Sequence, residues 1–195
     1  MAIVERNPLP RILLESRQEL HEWLVENHVE HRGFWLVQWR SVTGRPSIAY
    51  DDVVEECLIF GWIDSTVQNL DDERRGLRLT PRKPNGVWSA PNKQRLARLE
   101  AAGLLQPAGI RAVEVAKANG MFTFLDEIDA LVVPDDLAEA LGDLRPVFDG
   151  FSASRRKQAL YWSSRPNART RGPTGSRSSW PRRLRARRCS EFAAR

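Results

Sequence analysis

The chain has 195 residues, 42% of them hydrophobic, which is enough to bury one substantial core. No stretch approaches the ~20 uninterrupted apolar residues of a membrane span. The N-terminus lacks the basic and then apolar order of a secretory signal, so we expect a cytoplasmic protein. Two cysteines, Cys57 and Cys189, cannot make a disulfide framework, and no Cys/His spacing indicates a metal site. We therefore expect no metal and no cofactor.

The net charge of +5 is distributed unevenly along the chain. Residues 1–150 carry 17 Lys and Arg against 24 Asp and Glu, a balance of −7. Residues 151–195 carry 13 against one, a balance of +12. The region with hydrophobic periodicity is therefore acidic, which argues against nucleic acid as its partner.

Local patterns predict the first three elements. Ser16 followed by Glu19 is the pattern of a capping box and predicts a helix over about 16–28. The segment FWLVQWR at 34–40 is dense in aromatic and branched residues, which predicts a buried strand. Acids at the start and a glycine at the end predict a second helix over 50–61. The spacing of three tryptophans predicts that they belong to the core: Trp23, Trp35 and Trp39.

Alternating side chains between residues 62 and 80 predict an antiparallel hairpin with an apolar and a polar face. The inward, apolar set is Ile63, Val67, Leu77 and Leu79. The outward, polar set is Asp64, Thr66, Gln68, Arg78 and Thr80. This common polar face is the expectation on which the candidate site depends.

The second half of the chain is predicted to be mostly helical. Capping serines, prolines and terminal glycines predict helices over 89–103, 107–120, 134–142 and about 152–162. The order of elements predicts an α+β fold, with a small antiparallel sheet packed by several helices in a single domain over 1–162. Residues 163–195 contain ten arginines and one acid with hardly any apolar periodicity, which predicts an Arg-rich disordered tail.

Acids, hydroxyls, cations and tryptophans gather around the predicted hairpin and the TPRKP segment at 80–84. Arg and Lys could hold a phosphate or carboxylate while a tryptophan stacks on a flat group and Asp64 orients one cation. The alternative is a cross-strand pair of Asp64 and Arg78 on a solvated sheet face, worth ~0.2–1 kcal/mol. The candidate ligand-binding residues are Trp62, Asp64, Ser65, Arg78, Thr80, Arg82, Lys83, Trp88 and Asn92.

No catalytic residue is assigned. The histidines His21, His28 and His31 belong to the first predicted helix or follow it, far in sequence from the polar cluster. Asp64 and Ser65 lack a base in a triad-like arrangement, and no glycine-rich phosphate loop is present. We therefore expect a protein that is not an enzyme.

Three segments resemble the YdeI/OmpD-associated family, whose label is bacteriocin protection: FGWIDS at 60–65, ERRGLRLTPRKPNGVWSAPNKQRLARLEAAGLLQPAG at 73–109, and SASRRKQALYW at 152–162. The resemblance runs from about residue 11 to 162. It implies a small bacterial protein linked to tolerance of antimicrobial peptides, and it brings no catalytic mechanism.

The resemblance ends near residue 163. Family members usually continue into a segment like A-K-R-P-E-T-R-A-R-R, whereas this chain reads SSRPNARTRGPTGSRSS at 163–179. A shifted frame can restore A-A-K-R-P, so we hypothesise that the tail is a frame-shifted product. Sequencing the 3′ end of the gene tests this.

The leading hypothesis is a non-enzymatic bacterial stress-protection protein whose hairpin face binds a small anionic ligand or a partner. Two alternatives stay open. One is a nucleic-acid-binding protein that uses TPRKP, Trp88 and the basic tail. The other is an enzyme of unknown reaction in the same pocket. The sequence leaves the oligomeric state open.

Overall fold

The structure, a computed structural model, describes residues 9–164. Two compact units divide the chain between Phe122 and Thr123, within the span that the sequence predicted as one domain. The predicted Arg-rich tail lies outside the described residues from position 165 onward. Ser163 and Ser164 still belong to the last helix.

The first unit contains a four-stranded sheet. Its strands are β1 (Arg11–Leu13), β2 (Phe34–Trp39), β3 (Trp62–Asn69) and β4 (Arg74–Pro81), in the order β1-β2-β4-β3. β1 runs parallel to β2, and the other pairs are antiparallel. The α+β prediction is confirmed, with a mixed sheet in place of a purely antiparallel one. The sequence did not predict β1 because three residues are too few to show alternation.

Four helices complete the first unit: α1 (Arg17–Asn27), α2 (Tyr50–Ile59), α3 (Ala90–Ala101) and α4 (Pro107–Ala118). Each lies where the sequence predicted a helix. Ser16 caps α1, since its Oγ accepts a hydrogen bond from the backbone N–H of Glu19 at 3.2 Å. The Glu19 carboxylate accepts from the backbone N–H of Glu15 instead of that of Ser16, so the cap is a variant of the predicted capping box.

The hairpin over 62–80 is confirmed, but its predicted common polar face is wrong. Asp64 is paired with Leu79, and Ile63 is paired with Thr80. Directly paired residues share a face, so Asp64 lies on the inner side with the fully buried Leu79. Arg78 is exposed on the opposite side of the sheet.

The physical reason is the register of the strands. Even-numbered residues of β3 pair with odd-numbered residues of β4, and an irregularity between Asp64 and Val67 then shifts the pairing by one residue. Val67 is paired with the buried Leu77 and therefore lies on the inner face, as predicted, but it is 63% exposed. Leu77 and Leu79 are buried as predicted.

The core of the first unit lies between the inner sheet face and the helices. Its largest fully buried side chains are Trp62 and Trp88, at 1% and 2% exposure. The three tryptophans predicted as core, Trp23, Trp35 and Trp39, are only half-buried. Trp23 packs against the core. Trp35 and Trp39 belong to the outer sheet face, where they are paired with Arg78 and Arg74.

The second unit is helical, as predicted for this half of the chain. It contains α5 (Asp126–Asp129), α6 (Asp135–Leu141), α7 (Arg145–Asp149) and α8 (Ala153–Ser164). Its separate core includes Ile128, Leu137, Leu141, Phe148 and Leu160. Within residues 9–164, no helix is long and apolar enough to cross a membrane.

Candidate anion-binding site

The structure separates the nine candidate residues. Ser65, Arg78 and Thr80 lie on the outer face of the hairpin, where the Ser65 Oγ donates to the Arg78 carbonyl at 3.3 Å. Trp62 and Asp64 lie on the inner face. Asn92 belongs to α3, and its Oδ1 accepts a long hydrogen bond from Arg95 at 3.5 Å. The remaining three, Arg82, Lys83 and Trp88, lie together with Trp62 around one pocket.

The pocket has a volume of about 400 Å³ and is formed by five segments of the first unit. These are residues 28–29 after α1, residues 60–62 at the start of β3, residues 81–84 at the end of β4, Trp88 before α3, and one face of α4. A cavity of this size lies within the usual range for small-molecule sites. Apart from Trp62, Trp88 and the TPRKP segment, its walls come from positions that the sequence did not predict as ligand-binding residues.

Two glycines allow α4 to approach the end of α2 closely enough to form a wall of the pocket. A Cβ on Gly109 would lie 2.3 Å from the Ile59 carbonyl oxygen, so no larger residue fits there. Gly61 has a φ of +73°, and its Cβ would meet the Ala108 carbonyl oxygen at 2.7 Å. The Gly61 carbonyl also accepts from the backbone N–H of Arg82 at 2.9 Å. This contact joins the TPRKP segment to the same wall.

Arg82 has three features that single it out. Its guanidinium stacks 3.8 Å from the centroid of the Trp88 ring, and its Nε donates to the Trp62 carbonyl at 3.2 Å. Its Nη1 is buried and has no hydrogen-bond partner within residues 9–164. Desolvation lowers the pKa of Arg82 to about 10, which still leaves the side chain charged at neutral pH. The pocket therefore contains a largely buried cation, and one of its donors is unused by the described residues.

The other polar groups of the pocket add positive charge. Lys83 and Arg111 line it and are exposed. His28 also lines it, with its Nδ1 placed 2.8 Å from the Leu24 carbonyl to donate a hydrogen bond. The described lining contains no aspartate or glutamate. Electrostatically, the site suits an anion.

Asp64 does not orient a cation, contrary to the sequence-based expectation. Its Oδ2 accepts a hydrogen bond from the Tyr50 hydroxyl at 2.8 Å, and it forms no ion pair among the described residues. Partial burial and this bond raise the pKa of Tyr50 to about 12. Nearby, burial raises the pKa of the Cys57 thiol far above its ordinary value, which keeps it protonated and unreactive.

No group of three or more His, Cys, Asp and Glu side chains in the described part of the chain could hold a metal ion. Arg82 and its neighbours offer positive charge and apolar surface to a ligand in the pocket.

Sequence reasoning missed the residues that α4 and the end of α1 contribute: His28, Val29, Ala108, Arg111, Ala112 and Val115. The α4 residues follow helical spacing along one face, which the sequence shows. What the sequence does not show is that this face meets the TPRKP segment.

A known family model matches most of the first unit. The sequence model described as domain of unknown function DUF8412 matches residues 12–112, more than half of the 195 residues. The chain belongs to this family. The DUF8412 region covers the sheet, α1 to α3, and the part of α4 up to Ala112, so it contains most of the pocket wall. Neither the curated proteins nor the solved structures contain a match to this chain.

Proposed function

We propose that this protein is a non-enzymatic binding protein that holds a small anion in the pocket beside Arg82. We further propose that it acts in the bacterial cytoplasm in tolerance of antimicrobial peptides. The unpartnered Nη1 of Arg82 is the observation that supports the binding role. The resemblance of FGWIDS, the TPRKP region and SASRRKQALYW to the YdeI/OmpD-associated family supports the biological role.

The physical argument for an anion starts from the cost of burying Arg82. A buried charge without a counter-charge is unfavourable, and an unused buried donor adds to the cost. The contacts with Trp88 and the Trp62 carbonyl offset only part of it. An anion in the pocket would lie beside the Arg82 guanidinium and supply a negative charge. Lys83 and Arg111 would raise its local concentration from the solvent side.

Catalysis has less support than binding. The Tyr50 hydroxyl donates to Asp64, and the Cys57 thiol is buried and protonated. Among the pocket residues, His28 and Lys83 have ordinary roles in catalysis, and the described lining contains no aspartate or glutamate to pair with them.

The binding role is tested by calorimetric titration of the full chain with sodium acetate, sodium benzoate and inorganic phosphate. Arg82→Met should weaken binding of the preferred anion by about 10- to 100-fold, because a charge-assisted hydrogen bond is worth ~1.5–3 kcal/mol. Arg78→Met is the matched control, since Arg78 is exposed on the outer face of β4 and does not line the pocket. It should bind as the unaltered chain does. Equal loss in both variants, or no loss in either, would contradict the proposal.

The biological role is tested separately, in a bacterial strain that lacks the gene. The unaltered chain and Arg78→Met should restore growth in the presence of an antimicrobial peptide, whereas Arg82→Met should not. If all three restore growth equally, the pocket plays no part in peptide tolerance.

A further inference from the structure

We infer that the anion taken by this pocket is a carboxylate carried on an apolar body. This inference rests on the proposed anion-binding function and specifies its ligand class. The pocket has two chemically distinct walls. Arg82, Lys83 and Arg111 form the cationic one, and apolar side chains form the other.

The apolar wall extends from the floor of the pocket to its mouth. Phe60, at 2% exposure, lies at the buried end. Val29 and Val115 are 78% and 43% exposed, and both line the pocket. Large apolar side chains left open at the edge of a concave site are typical of a binding surface for an apolar group.

The geometry of α4 explains how one helix serves both walls. Ala108, Ala112 and Val115 follow one another at i, i+4 and i+7 and present a smooth apolar face. Two of these side chains are alanines, so they leave space in front of the helix. Arg111 lies beside them on the same helix and extends the cationic wall.

The donor set favours a carboxylate over a phosphate. One guanidinium, that of Arg82, provides the largely buried charge, and a guanidinium is a good partner for a carboxylate. A phosphate would bring further oxygens against alanine, valine and phenylalanine side chains, which cannot donate to them. Trp62 and Trp88 are too deeply buried to stack on a ligand, so the body of the ligand meets the aliphatic wall.

The inference is tested by titrating the full chain with acetate, butanoate, hexanoate and octanoate, below their micellar concentrations. We expect the dissociation constant to fall by about two- to fourfold for each added methylene, because a fully buried methylene contributes ~0.8 kcal/mol. Inorganic phosphate should bind more weakly than hexanoate. Hexan-1-ol, which has the chain without the charge, should not bind in the same concentration range.

Val115→Gln should weaken octanoate binding by about threefold or more and weaken acetate binding less than octanoate binding, because it places a polar group on the apolar wall. Ile110→Gln is the matched control. Ile110 lies on the same helix at 44% exposure and does not line the pocket. It should change neither affinity.

The source of the carboxylate is distinguished by two peptides. Acetyl-Val-Leu with a free C-terminal carboxylate and its C-terminal amide share the same apolar body. Tighter binding of the free acid than of octanoate would assign the pocket to peptide C-termini, and the reverse order would assign it to acyl chains. Either order supports an apolar carboxylate as the ligand class.

Different results would contradict the apolar-carboxylate inference and the proposed anion-binding function. Anion binding that depends on Arg82 but not on chain length would overturn the apolar carboxylate and leave the proposed function standing. Phosphate binding tighter than that of every carboxylate would do the same. An absence of binding by all the anions would overturn both.

Discussion

Arg17 and Arg82 lie in the same unit and have opposite surroundings. The Arg17 guanidinium donates to Glu56 at 2.7 Å, to Asp52 at 2.8 Å and to Glu55 at 3.1 Å. Partial burial of Arg17 opposes its charged form, but these carboxylates outweigh that effect and raise its pKa. Arg82 has no carboxylate partner within the described residues, and burial lowers its pKa to about 10.

The difference shows how the same side chain serves two purposes. The charge of Arg17 is neutralised inside the fold, where it joins α1 to the buried Glu56 of α2. The charge of Arg82 lies beside an open pocket and forms no ion pair among the described residues. An arginine that the fold has already satisfied stabilises structure, whereas one that it leaves unsatisfied is available to a ligand.

The largest expected effect on stability follows from removing the paired arginine. Arg17→Met should lower the free energy of unfolding by about 2 kcal/mol, because Glu56 would remain buried without its cation. Anion binding should not change. Urea denaturation measures the free energy of unfolding, and calorimetric titration measures anion binding. Arg98→Met is the control, since Arg98 is 64% exposed and its bond to Glu55 should contribute under ~0.5 kcal/mol.

Removing the charge of the shared partner should have a smaller effect. Glu56→Gln should lower the free energy of unfolding by about 1 kcal/mol, since Glu56 accepts from Arg17 and lies 2.8 Å from the His21 Nδ1. Asp52 and Glu55 would still neutralise Arg17. Denaturation of this variant at neutral pH checks the value. No change at all would mean that the network around Arg17 contributes nothing to stability.

The unpaired arginine should be dispensable for folding. Arg82→Met should leave the free energy of unfolding unchanged or raise it by up to about 1 kcal/mol, because the buried charge and the unused Nη1 are removed together. Urea denaturation of the Arg82→Met variant measures this free energy of unfolding. If Arg82→Met lowered the free energy of unfolding by more than about 1 kcal/mol, Arg82 would be a structural residue like Arg17. The contrast between the two arginines would then be wrong.

The smallest effect concerns Tyr50, whose hydroxyl donates a hydrogen bond to Asp64. The pKa of Tyr50 rises from its ordinary value near 10 to about 12, so the folded chain binds more protons than the unfolded chain in that window. This contribution to stability is complete below pH 10 and is lost as the pH rises toward 12. Tyr50→Phe should remove that part of the pH dependence, and phenolate absorbance together with denaturation at pH 9 to 11 measures it. An unchanged pH dependence would exclude the Tyr50 contribution.

Much of the first unit was predictable from local sequence. Caps, helical spacing and terminal glycines predicted α1 to α4 near their observed bounds, and the same patterns predicted α6 and α8 in the second unit. The hairpin was predictable because alternation and turn residues act over short distances. The sequence also predicted Arg82, Lys83 and Trp88 as ligand-binding residues, and all three line the pocket.

Tertiary structure decided the faces and the pocket. Alternation gives a strand its period but does not specify which residue of the partner strand lies opposite, and an offset of one residue moves a side chain to the other face. Arg78 and Asp64 therefore fell on opposite sides of the sheet, and Trp62 entered the core. The pocket itself depends on α4 packing against the end of α2, which distant residues determine together and no short segment encodes.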